Sequence, residues 1–138
     1  MTDPTLHHLE EHRKLCRELL AAFEREALGL QEGKLAALAE ADAVRRQLLP
    51  RLQELMQHLR AQRQAWEQLP PAQRQPPAAV RALLEENQEL VLRLLALDRE
   101  NQQARLRLGL VPPQHWPAPR PASGQGYVSE LYRRHTAA

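Results

Sequence analysis

Between positions 80 and 108 apolar residues recur on two alternating seam positions: Leu83, Leu90 and Leu97 on one, Val80, Leu94 and Leu108 on the other. Asn87 and Asn101 occupy equivalent places on the second seam, fourteen residues apart. Steps of three and four residues keep side chains on one face of an α-helix, so this segment predicts a long helix whose stripe must be covered by other helices. The composition leaves little room for a sheet. Aromatic residues are only 4% of the chain, with a single Phe, so a core has to be built from Leu and Ala, the material of helix-on-helix packing.

The rest of the chain follows the same pattern. Asp3 before Pro4 reads as an N-cap followed by proline at the first helical position, and a helix over about 4–30 would carry Leu6, Leu9, Cys16, Leu19, Leu20, Phe23, Ala27 and Leu30 inward. Gly29 and Gly33 predict a break or kink. A second helix over 34–68 places Leu35, Leu38, Leu48, Leu49, Leu52, Leu55, Met56, Leu59 and Trp66 at helical spacings. Pro50 predicts a kink or a restart near Leu48 and Leu49, because it lacks a backbone donor and crowds the preceding turn. Pro70, Pro71, Pro76 and Pro77 mark a connector, and a third helix over 78–108 ends at Gly109 ahead of Pro112 and Pro113. The expected fold is all-α: long amphipathic helices in an antiparallel three-helix bundle or coiled coil over 1–111, with a Pro-rich disordered C-terminal tail. Within that tail, 112–126 reads as a linker. The piece 127–138 reads as a short amphipathic peptide whose Tyr127, Val128, Leu131 and Tyr132 share a helical face.

Charge argues against a nucleic-acid partner. The formal net charge is +2, but the excess lies in the tail, and Lys and Arg alternate with Asp and Glu through the helices, as on solvated faces. No stretch approaches the length of a membrane span and no export signal is recognisable, so no membrane insertion is expected. A single cysteine, Cys16, permits no internal disulfide and suits a cytoplasmic location.

Chemistry-bearing patterns are few. The only serines, Ser123 and Ser129, are in the tail, and no Gly-rich phosphate loop is present, so no enzyme and no cofactor are expected. His8, His12 and Cys16, four apart, could align on one side of a helix, but a fourth ligand is missing, and burial at the core's edge is the expectation rather than a metal. Asn87 and Asn101 could pair with their copies across a parallel dimer or sit at the edge of an intramolecular bundle. The dimeric form would make the protein a homodimeric coiled-coil scaffold or adaptor with the tail as a recognition peptide.

Glu24, Ala27, Leu28, Gly33, Leu35, Leu38 and Leu48-Leu49, within 15–55, resemble the long first helix, short break and leucine-rich second helix of the FlgN-type flagellar export chaperones. The run 87–110 is similar to that family's partner-binding helix. The resemblance implies a cytosolic helical chaperone that masks an amphipathic helix of a secreted hook-associated protein before type III export. It further implies that Leu90, Val91, Leu94, Leu97, Leu106 and Leu108 cover the client helix.

Overall fold

Two glycines in the left-handed region finish helices. The computed structural model describes residues 4–110, and among them only Gly33 (φ 71°) and Gly109 (φ 73°) have positive φ. Each follows a helix end, and the next residue turns its N–H back: Lys34 to the Gly29 carbonyl and Leu110 to the Arg105 carbonyl, both at 2.8 Å. These are the long-range bonds of the Schellman motif, which needs a residue without Cβ strain just after the helix. The helices so bounded are α1 (Pro4–Glu32), α2 (Leu35–Glu67) and α3 (Ala78–Arg107). The proline connector folds as a 3₁₀ turn, Pro71–Gln73. The described residues contain no strand. Asp3, the 112–126 linker and the tail residues Tyr127, Val128, Leu131 and Tyr132 lie outside the described residues.

The break expected at Gly29 and Gly33 falls at Gly33, and a restart at Pro50 does not occur. α1 runs through Gly29, where a Cβ would stand 2.5 Å from the Cβ of Ala37; the glycine admits the start of α2 rather than breaking the helix. α2 does not restart at Pro50 but is continuous across it. Pro50 and Arg46 are both exposed, so the carbonyl that loses its intrahelical donor lies on the solvent side, where water can satisfy it.

Two asparagines fix the register of α3. Asn87 donates its Nδ2–H to the Leu9 carbonyl and Asn101 to the Phe23 carbonyl, each at 2.9 Å and each across 78 positions. α3 therefore lies beside α1 in the same direction, without slippage over two heptads. α2 runs against both: Gln62 meets His8 at one end (2.7 Å) and Arg45 meets Glu26 at the other.

α1 is the central helix. It packs against α2 and α3, whereas α2 and α3 bring no pair of Cα atoms within 8 Å of each other. The main core joins Leu15, Cys16, Leu19 and Phe23 of α1 to Leu48, Leu52, Leu55 and Met56 of α2 and to Leu90 and Leu94 of α3. Each fully buried leucine contributes roughly 1.5–3 kcal/mol. A smaller cluster of Leu9, Val80 and Leu83 holds the opposite end, with Leu6, Leu59 and Trp66 against it.

Candidate partner-binding groove

Because α2 and α3 never touch through their backbones, the space between them must be filled by side chains, and it is filled differently at its two ends. Near the turn at Gly33 it is closed by charge. The Arg45 guanidinium holds both oxygens of Glu26 (2.8 and 3.2 Å) and reaches Asp98 Oδ1 at 2.9 Å, with its Cζ 4.2 Å from the centre of the Phe23 ring. Arg105 bonds the same Glu26 carboxylate and both oxygens of Asp42 (3.0 and 3.2 Å). Asn101 adds a bond to Glu26 Oε1 at 2.9 Å. Glu26 and Asp98 are wholly buried, and Arg45 is 1% exposed. Burial alone would raise the Glu26 pKa, but the hydrogen bonds and charges of Arg45 and Arg105 outweigh it and hold the carboxyl below its ordinary value. Burial likewise works against the Arg45 charge, and Glu26 and Asp98 more than restore it.

At the other end no ion pair joins α2 to α3 among the described residues, and Leu59 and Trp66 pack against the Leu9, Val80 and Leu83 cluster instead. There a groove of about 480 Å³ opens between the last turns of α2 and the first turns of α3. Its floor is α1, at Leu9 and His12; the α2 wall presents Met56, Leu59 and Trp66, with Arg60 and Arg63 beside them. The α3 wall presents Val80, Leu84, Val91 and Leu92. Leu84 and Leu92 are 42% and 60% exposed. Asn87 also borders the groove. Its amide nitrogen is committed to Leu9, while its buried Oδ1 has no donor among the described residues.

The residues implied by the family resemblance fall into three environments. Leu94 is fully buried and Leu90 nearly so, both inside the main core; Val91 and Leu97 are half-buried against it. Leu90 and Leu94 therefore cannot also cover a partner while the bundle is closed. Leu106 and Leu108 are exposed, but they lie fourteen or more residues beyond Leu92, roughly 20 Å along the helix at 1.5 Å per residue, and do not line the groove. Of the six, only Val91 does. Leu59 and Trp66, read from the spacing of the second helix, line the groove, and Leu84 and Leu92 are the groove leucines that the seam pattern did not single out. Leu84 sits one position and Leu92 two positions off the seams, where an intramolecular stripe leaves a flank uncovered.

His12 and Cys16 lie side by side, with Sγ 3.8–3.9 Å from the imidazole nitrogens, and burial lowers the His12 pKa to about 4. His8 turns instead to Gln62 and stacks on His58, ring centres 5.1 Å apart. Among the described residues no group of three or more His, Cys, Asp or Glu side chains is placed to hold a metal ion. No described helix is long and apolar enough to cross a membrane. Asn87 and Asn101, read as either dimer contacts or an intramolecular edge, are buried against α1 of the same chain.

No family model, no curated protein and no solved structure matches the chain.

Proposed function

We propose that this protein is a non-catalytic helical binding protein that takes up an amphipathic helix of another protein in the groove between α2 and α3. The client we propose is a secreted hook-associated or other flagellar protein, masked in the cytoplasm before type III export. The observation that carries the reading is the groove itself: a mostly apolar channel between two helices that bring no Cα atoms within 8 Å of each other, floored by a third. A helix seated there would add the missing contact between α2 and α3 and cover Leu84 and Leu92, as helix-in-groove recognition requires. The FlgN-type resemblance supplies the client class, and the groove supplies the place.

Leu84→Asp with Leu92→Asp tests the reading, since both residues are exposed and their replacement spares the core. The wild-type chain, used as bait in its source organism's lysate, is expected to enrich a secreted flagellar protein identified by mass spectrometry. The double variant should keep its helix content and lose that protein. Equal enrichment by both, or enrichment of cytosolic proteins unrelated to export, contradicts the reading.

A further inference from the structure

We infer that the helix taken up by this groove carries acidic residues along the flank that faces α2. The inference rests on the reading of the groove as a helix-binding site and concerns the chemistry of its occupant. The lining is mostly apolar, with neutral polar groups such as Asn87 and Gln88 among it, but its arginines stand on one wall: Arg60 and Arg63 lie on consecutive turns of α2, and no carboxylate lines the groove. Arg60 has no ion-pair partner among the described residues. Arg63 has only an exposed, long contact to Glu67, 3.8 Å between Nε and Oε1. The α3 wall opposite carries Leu84, Gln88 and Leu92 and no charge.

An occupant is thus met by hydrophobic contact on all three helices and, on α2 alone, by two arginines. A helix whose apolar stripe lies on Leu9, Leu84 and Leu92 brings its own flank against Arg60 and Arg63. Carboxylates there gain two charge pairs at the edge of an apolar site, while cations there meet repulsion and desolvation together. Glu26, Asp42 and Asp98, the buried carboxylates of the bundle, are bonded to Arg45 and Arg105 at the far end and offer nothing to Arg60 or Arg63.

Two labelled amphipathic peptides of about eighteen residues, with one shared leucine stripe and either Glu or Lys along the flank, test the inference on the full chain by fluorescence anisotropy. The Glu peptide is expected to bind at least about tenfold more tightly than the Lys peptide. The difference should shrink as salt rises from about 50 to about 500 mM. Arg60→Glu with Arg63→Glu, both exposed positions, should invert the preference while leaving helix content unchanged. Equal affinity for the two peptides, or preference for Lys, overturns the acidic flank and leaves the groove as a helix site. Binding of neither peptide overturns the site reading as well. A sedimenting dimer in that case assigns the groove to a second copy, and recovery of binding by both peptides on Leu131→Asp with Tyr132→Asp assigns it to the chain's own 127–138 segment.

Discussion

Arg45 of α2 reaches Asp98 of α3 with 2.9 Å between Nη2 and Oδ1, although the helices that carry them bring no Cα atoms within 8 Å of each other. Two long side chains, Arg45 from α2 and Arg105 from α3, which reaches Asp42, span a distance that backbone packing leaves open. The same gap, without such a span, is the groove at the other end of the bundle. Charge closes one end and leaves the other free, which makes the buried cluster and the groove two outcomes of one arrangement.

Removing a single member of the cluster should be costly. Arg45→Met strips Glu26 and Asp98 of a shared partner in a fully buried site, and breaking a buried ion pair in this way typically destabilises by about 3–5 kcal/mol. Urea denaturation should show a loss of that order. Replacing Glu26, Asp42, Arg45, Asp98 and Arg105 together by apolar residues of similar volume should recover much of it, because the desolvation cost disappears with the charges.

Acid should weaken the fold in a window set by His12. Its pKa is about 4 in the folded chain, against an ordinary value of 6.5. Between those values the unfolded chain binds the additional proton. Stability is therefore intact above pH 6.5 and falls as the pH drops towards 4, by up to about 3 kcal/mol at roughly 1.4 kcal/mol per pKa unit. Glu26, held below its ordinary value, adds a further loss at lower pH. Urea midpoints between pH 7 and pH 4 should decline in the wild type and decline less in His12→Gln.

Gly29→Ala should push the start of α2 away from α1, since the new methyl would stand 2.5 Å from the Ala37 Cβ. Overpacking of this kind costs about 1–3 kcal/mol. Combining it with Ala37→Gly should restore part of the loss in thermal unfolding, and additive losses in the double variant would show that the two residues do not compete for the same space.

Leu94 and Leu106 separate core from surface on one helix. Leu94→Ala removes a fully buried side chain and should cost about 2–5 kcal/mol. Leu106→Ala, at 65% exposure, should stay within about 0.5 kcal/mol of the wild type. Denaturant titration of both variants checks the contrast.

The helical character of the chain was legible because the stripes of Leu9, Cys16 and Phe23 or of Leu83, Leu90 and Leu94 have only one economical cover, another helix. Gly109 was legible as a helix end because a left-handed glycine is the commonest way to finish one. The buried cluster was not read, since interleaved charges usually mark solvated faces. The sign was nevertheless present: Glu26 falls on the inner stripe between Phe23 and Leu30, and Arg45 between Ala41 and Leu48, where an apolar residue belongs. The asparagine positions were recognised as special, but whether they face a copy or α1 depends on tertiary register, which local spacing does not contain. The groove was missed for a related reason. It arises from a contact that α2 and α3 do not make, and heptad patterns report only contacts that are made.

The central claim, that the groove between α2 and α3 receives a partner helix, is tested most directly by amide chemical-shift mapping of the full chain titrated with the Glu-flanked amphipathic peptide. The account predicts that perturbations gather on 56–66 of α2, on 80–92 of α3 and around Leu9 and His12 of α1, including the Trp66 indole. Perturbations gathered instead around Leu28, Leu35, Leu106 and Leu108, the exposed leucines outside the groove, would contradict it.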